Sequence, residues 1–194
     1  MSMQTIARYS FPSNHLITAQ LMKVPENEGT LKAVHFAMMA LMPGTKNDSN
    51  NRSYDFKNGI HVKFSLHELA GLAWALQQYA VGNTENINYV KFAQSNGTNK
   101  TVSLAVGVET TGKNNTPNRL IQLRFSSGSM NAIKMSCDQA AAMSEILMKL
   151  YHIGCDLELT REVNADVYKK QYNTESKTQT NDFDSEGTNP FDGF

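Results

Sequence analysis

The stretch Ile60-His-Val-Lys-Phe-Ser-Leu-His-Glu-Leu69 decides the fold, because the chain repeats it 71 positions later as Asn131-Ala-Ile-Lys-Met-Ser-Cys-Asp-Gln-Ala140. In the first copy Ile60, Val62 and Phe64 alternate with His61 and Lys63. In the second, Ile133 and Met135 alternate with Ala132 and Lys134. A period of two is that of a strand with one face buried. Each strand then meets a serine. Ser65-Leu-His-Glu68 and Ser136-Cys-Asp-Gln139 both fit a capping box, in which the serine oxygen and the Glu or Gln side chain satisfy each other's backbone N–H groups. Apolar residues follow at helical spacing: Leu66, Leu69, Leu72, Leu76 and Tyr79, then Cys137, Ala140, Met143, Leu147 and Leu150. Gly82 and Gly154 are the expected stops.

Working outward, four strands are expected before each helix. Ahead of the second helix they are 87–94, 101–109, 119–125 and 131–135, separated by turn-rich segments. Ahead of the first they are 15–24, 32–42, a weaker 53–56, and 59–64. The predicted fold is therefore α+β: a repeated ββββα unit, giving two antiparallel four-stranded sheets with packed helices. The repeats cover about 15–82 and 86–154 of a single domain, 1–172. Leu157 to Tyr168 is weakly helical.

The chain has 194 residues, of which 40% are apolar and 19% charged, enough for one core without disulfides. The longest apolar run, Phe36 to Met42, is far short of a membrane span, so no membrane partner is expected. The start, Met-Ser-Met-Gln-Thr, has no signal-peptide pattern. Cys137 and Cys155 are too few for a disulfide framework, so a cytoplasmic setting fits. The zero net charge hides an asymmetry. Residues 173–194 hold five carboxylates and one lysine, a net of −4, while the remaining residues hold 17 Lys/Arg and 13 Asp/Glu, a net of +4. That tail lacks a periodic apolar pattern and is expected to be disordered.

With Val90, Phe92, Val102, Leu104, Val106, Val108, Ile121, Leu123, Phe125, Ile133 and Met135 placed toward the helix, the opposite face of the second sheet carries Tyr89, Lys91, Thr101, Ser103, Gln122, Arg124 and Lys134. The matching face of the first repeat carries His61 and Lys63. Cations, small hydroxyls and an aromatic without an acid suit single-stranded nucleic acid: the cations meet phosphates and the aromatic stacks on a base. A merely solvated sheet face would also be polar.

Catalytic and cofactor signals fail. Gly107-Val-Glu-Thr-Thr-Gly-Lys113 begins like a phosphate-binding loop, but Asn114 stands where Ser or Thr is needed, and no helix follows. His152 and Cys155 have no second pair at metal-site spacing. Cys137 lies on an apolar stripe, the five histidines are scattered, and the methionines fit core filling. Trp74 lies off its helix's apolar stripe. The expectation is a non-enzyme with no cofactor and no metal.

The tail ends Asn181-Asp-Phe-Asp-Ser-Glu-Gly-Thr-Asn-Pro-Phe-Asp-Gly-Phe194. Aromatics among carboxylates form a short recognition motif, for a partner's pocket and basic rim or for the protein's own basic face. Through Asp182, Phe183, Asp184, Pro190 and Phe191, with Asp192 and the terminal Phe194, it resembles the acidic tip of bacterial and phage single-stranded-DNA-binding proteins. It departs from the bacterial pattern in that Pro190-Phe191 is not terminal. The body does not look like the OB barrel that usually bears such tips. Its repeated ββββα order resembles the Whirly family and the related transcriptional positive-cofactor fold, which bind single-stranded DNA.

Together the resemblances imply a phage or viral protein that coats and protects single-stranded DNA in replication or recombination, without catalysis and largely without sequence preference. His61, Lys63, Tyr89, Lys91, Thr101, Ser103, Gln122, Arg124 and Lys134 would form its interface. The tail would recruit replication or recombination proteins or compete with nucleic acid; the two repeats could close as an internal pseudo-dimer, and a homo-oligomer, dimer or tetramer, stays open. The alternative is a protein-interaction or virion accessory module, or an RNA-binding variant of the same fold.

Overall fold

The computed structural model describes residues 3–12, 15–25, 34–45, 53–85, 87–95, 97–111 and 116–162; the acidic tail, with every tip residue named above, lies outside them. The elements run β1 (Gln4–Pro12), β2 (His15–Lys23), β3 (His35–Thr45), β4 (Ser53–Tyr54), β5 (Ile60–Phe64), α1 (Leu66–Ala80), β6 (Val90–Ser95), β7 (Thr98–Thr111), β8 (Thr116–Ser127), β9 (Ser129–Met135) and α2 (Cys137–Glu162). By contacts the chain divides into Met1–Leu157 and Glu158–Phe194. No helix among the described residues is long and apolar enough to cross a membrane.

The first sheet orders β1-β2-β3, with both β4 and β5 paired to β3; the second orders β6-β7-β8-β9, and all pairings are antiparallel. The repeated four-strand-plus-helix unit is present, with its strands assigned differently in the first half. The opening strand is β1, which lies N-terminal to the predicted repeat, and the predicted third strand is the two-residue β4 within the β3–β5 connection. In β1, Ala7, Tyr9 and Phe11 alternate with Arg8 and Ser10, a strand period. Seven of its nine residues are nonetheless exposed, as suits an edge strand ending in Pro12.

The ladders show how deep the repeat goes. One row across the first sheet is Tyr9, Ala19, Met39 and Val62. Its counterpart is Tyr89, Leu104, Leu123 and Ile133, with the Leu104 N–H donating to the Tyr89 carbonyl at 3.2 Å. The next row, Phe11, Ile17, Leu41 and Ile60, corresponds to Lys91, Val102, Phe125 and Asn131.

Both capping boxes form. The Ser65 N–H donates to Glu68 Oε2 at 2.7 Å and the Glu68 N–H to Ser65 Oγ at 3.3 Å; the Ser136–Gln139 pair does the same at 3.0 and 3.2 Å. Gly82, at φ +91°, ends the turn after α1, as its αL preference predicts. Gly154 does not end α2. It is buried in the middle of the helix, where a Cβ would lie 2.5 Å from Leu66 Cδ2 and 3.2 Å from Leu21 Cδ1, so it serves close packing instead of termination. The inner faces of both sheets and the apolar stripes of both helices form one core, including Leu21, Met39, Phe64, Leu72, Leu104, Leu123 and Leu147. Buried Ser144 joins the helices by donating to the Ala73 carbonyl at 2.6 Å.

Candidate nucleic-acid interface

The face of the second sheet turned away from this core is fixed by the β6–β7 hairpin. The hairpin closes at the Ser95–Thr98 pair beside Gly97, whose φ is +74°. That register sets Lys91 opposite Val102 and Phe92 opposite Thr101. Directly opposed residues share a face, so β6 is turned over relative to the sequence expectation. Tyr89 and Lys91 point inward; Val90 and Phe92 point out, 40% and 78% exposed.

The two displaced residues have inward partners. Lys91 Nζ lies 2.5 Å from Glu68 Oε1 and 5.0 Å from the centroid of the Phe64 ring, and its side chain is 9% exposed. Tyr89 Oη donates to the Glu68 carbonyl at 3.5 Å. Burial, aided by the Glu68 carboxylate, pushes the Tyr89 phenol well above its ordinary range. Burial also pushes the Glu68 carboxyl up, but hydrogen bonds from Lys91 and the Ser65 N–H outweigh it and hold the group below the usual carboxylate range. Neither Lys91 nor Tyr89 is placed to meet a ligand on the outer face.

Five of the expected residues do share that face: Thr101, Ser103, Gln122, Arg124 and Lys134. Its rows are Phe92–Thr101–Ser126–Met130, Val90–Ser103–Arg124–Ala132 and Ala105–Gln122–Lys134. Arg124 is held along the sheet, its Nε and Nη2 donating to Gln122 Oε1 at 3.0 and 2.7 Å. Gln122 can lie flat because its neighbour is Gly107, where a Cβ would meet Gln122 Nε2 at 2.5 Å. The expectation of a face without acid is corrected. Glu109 stands on it and accepts from Lys134 Nζ at 3.0 Å, so the Lys134 charge is partly neutralised.

His61 and Lys63 occupy the outer face of the first sheet, not the second. Lys63 Nζ lies 4.2 Å from the centroid of the Phe36 ring, and Phe36 is only 4% exposed. The first repeat thus buries its outer-face aromatic, whereas the second leaves Phe92 open. Burial, then the nearby Lys100 charge, depress the His61 pKa; Lys100 Nζ donates to the His61 carbonyl at 3.1 Å. Beside this contact is a polar cleft of about 440 Å³, where Lys100, Ser127, Ser129 and Asn131 meet Asn58 and Ile60.

Phe92 is the residue that the sequence reading missed. Its signal was the Asn-Gly sequence at 96–97, a hairpin signature; the register that follows pairs Ser95 with Thr98 and Phe92 with Thr101, which puts Phe92 and Thr101 on one face. The phosphate-loop look-alike at Gly107 falls in the β7–β8 hairpin, whose last pair is Thr111–Thr116. No group of three or more His, Cys, Asp or Glu side chains among the described residues is disposed to hold a metal, and Cys137 and Cys155 are free thiols.

No protein-family model matches the chain, and no curated protein sequence matches it. Among solved structures it is similar to WHY1 from Arabidopsis thaliana, at 10% identity over 94% of this chain and 97% of that one, with a TM-score of 0.47. It is similar to WHY3 from the same plant, at 12% identity over 76% and 88%, TM-score 0.48. It is also similar to the plant transcriptional regulator PBF-2, at 13% identity over 89% and 96%, TM-score 0.47. These values assign no role to any residue of this chain.

Proposed function

We propose that the protein binds single-stranded DNA along the outer face of the second sheet, coating it during replication or recombination without catalysing a reaction. The observation that carries this reading is Phe92. It is an aromatic ring in mid-strand, 78% exposed, on a face whose neighbours are Thr101, Ser103, Ser126 and the guanidinium of Arg124. An exposed ring on a sheet face that also carries hydroxyls offers a stacking platform that any base fits, and Arg124 offers a phosphate contact. Neither feature selects a sequence.

The acidic tail, with Phe183, Phe191 and Phe194, is assigned the recruitment of replication or recombination proteins. Trp74 and Val81, 54% and 66% exposed on and just after α1, support a homo-oligomeric contact. Free cysteines suit a reducing cytoplasm, that of a host cell if the source is a phage.

The test is fluorescence anisotropy with labelled oligo-dT, a matched duplex and a matched RNA, titrated with the full chain across a salt series. The reading expects tight dT binding that weakens steeply with salt and much weaker duplex binding. Tighter RNA than dT binding would move the assignment to RNA. Absence of dT binding at low salt would remove it and leave a protein-interaction module.

A further inference from the structure

Equivalent ends of the two repeats meet at the polar cleft of about 440 Å³, and they line it differently. By ladder position, Pro43 and Ile60 of the first sheet correspond to Ser127 and Asn131 of the second. At the 71-residue offset, Asn58 corresponds to Ser129. All six residues border the cleft, together with Lys100. Ile60 is 6% exposed, whereas its counterpart Asn131 is only half-buried. The first repeat thus supplies an apolar wall, Pro43 and Ile60, and the second a polar one.

The polar wall has donors to spare. The turn at Gly128, φ +79°, sets Ser127 opposite Ser129, so both hydroxyls lie on one side of the sheet. Lys100 precedes Thr101, and the alternation of the strand brings it to the inner side, away from Phe92. Its Nζ donates once, to the His61 carbonyl at 3.1 Å, and an ammonium has three N–H groups. Lys100 makes no ion pair among the described residues, and the side chains of Ser127, Ser129 and Asn131 make no hydrogen bond among them. No carboxylate borders the cleft. Asp55, close in sequence to Asn58, is engaged by the Lys57 and Asn58 N–H groups and by the Asn58 amide.

A half-buried cation without a counter-ion, two hydroxyls and an amide form a donor set for an anion, and phosphate oxygens take such charge-assisted bonds. The volume falls within the roughly 300–1,000 Å³ of sites that enclose a small molecule, so the cleft has room for more than phosphate. The apolar wall suits the carbon frame of an ester. The Asn58 side-chain carbonyl, whose amide is spent on Asp55, is an acceptor for a base N–H.

We propose that this cleft binds a nucleotide by its terminal phosphate, with the phosphate on Lys100, Ser127, Ser129 and Asn131 and the nucleoside against Pro43 and Ile60. The phosphate monoester is that of a free mononucleotide or of a strand end. The site lies on the opposite side of the second sheet from Phe92, and the inference does not rest on the strand-binding reading.

The test is an NMR titration of the full chain with dTMP and with thymidine. dTMP should shift the amide signals of Gly128 and Ser129 and the methyl signals of Ile60, and it should bind at least tenfold tighter than thymidine. Lys100→Met should weaken dTMP binding at least tenfold. Asn131→Ile, which gives the second repeat the side chain of the first, should weaken it several-fold; circular dichroism reports whether each variant folds. Phe92→Ala chains titrated with 5′-phosphorylated and 5′-hydroxyl oligo-dT then separate the two sources. A fivefold preference for the phosphorylated end that Lys100→Met removes assigns the site to strand ends. Equal binding of the two, with dTMP binding retained, assigns it to free nucleotides. The proposal is overturned by no dTMP binding, by equal affinity for dTMP and thymidine, by unchanged dTMP affinity in folded Lys100→Met and Asn131→Ile chains, or by shifts confined to the residues around Phe92. Oligo-dT binding by the unaltered chain is scored separately, so failure here leaves the single-strand reading standing.

Discussion

Lys91 Nζ stands 2.5 Å from Glu68 Oε1, so the edge strand of the second sheet is fastened to the first turn of the helix that follows the first sheet. The ion pair explains why a lysine in an alternating strand is withdrawn from the surface where a nucleic acid would lie. Lys91→Met keeps an apolar stem over Phe64 but removes the charge. Glu68 is almost half exposed, so the destabilisation should be modest, about 1–2 kcal/mol, read as a lower urea midpoint. Oligo-dT affinity should stay within about twofold. A large drop in affinity with intact stability would return Lys91 to the interface.

Phe92 gives the opposite pattern. Its ring is 78% exposed and contributes little to the core, so Phe92→Ala should change stability by no more than about 0.5 kcal/mol. If the ring stacks on a base, dT affinity should fall by about 1–3 kcal/mol, roughly five- to 150-fold. Phe92→Trp should preserve or improve binding, and quenching of the new indole on adding dT would report the stack directly.

Arg124 should act through salt. Gln122 holds its guanidinium along the sheet with two hydrogen bonds, which leave its charge unneutralised. Arg124→Gln is expected to lower affinity for every single strand by a similar factor. It should also reduce the slope of log affinity against log salt by about 0.7, because one fewer phosphate is neutralised. An unchanged slope would show that Arg124 positions Gln122 and touches no phosphate.

The helices, the capping boxes and the repeat were legible in the sequence because each rests on local chemistry: a serine at the right offset and an apolar period. The facing of β6 was not legible from apolarity alone. Val90 and Phe92 look like core residues, and only the hairpin register between Ser95 and Thr98 shows that they are not. Likewise Gly154 has the composition of a helix stop. What keeps the helix going is a tertiary fact, the approach of Leu66 and Leu21 to its backbone. β1 carried a readable alternation, but its mostly exposed residues lacked the apolar density of a core strand. The candidate face was thus half visible: Thr101, Ser103, Gln122, Arg124 and Lys134 do share one side of the sheet, while the exposed ring of Phe92 lay one position away from the lysine expected there.

Two helical glycines should respond differently to the same change. A Cβ at Gly71 of α1 would meet nothing within 4 Å, so Gly71→Ala should gain about 0.5–1 kcal/mol from helix propensity. At Gly154 the added methyl would press on Leu66 and Leu21, both buried. Overpacking of that kind costs about 1–3 kcal/mol and offsets or exceeds the propensity gain. Thermal melts of the two variants should therefore move in opposite directions, or Gly71→Ala upward alone.

Two groups make stability depend on pH in separate windows. His61 is depressed by burial and by Lys100, so the unfolded chain takes up a proton near pH 6.5 while the folded chain resists. The contribution of neutral His61 is whole above about pH 6.5 and is lost as pH falls toward its lower folded value. Glu68 is held below the ordinary carboxylate range by Lys91 and Ser65 despite its burial. Its contribution is present above about pH 4.3 and is lost as pH falls through the folded value. Urea unfolding from pH 7.5 to 3 should then show two successive declines. His61→Gln should flatten the first and leave the second, Glu68→Gln should do the reverse, and Lys100→Met should narrow the first by letting the His61 pKa recover toward its ordinary value. A first decline that survives His61→Gln would assign it to another histidine.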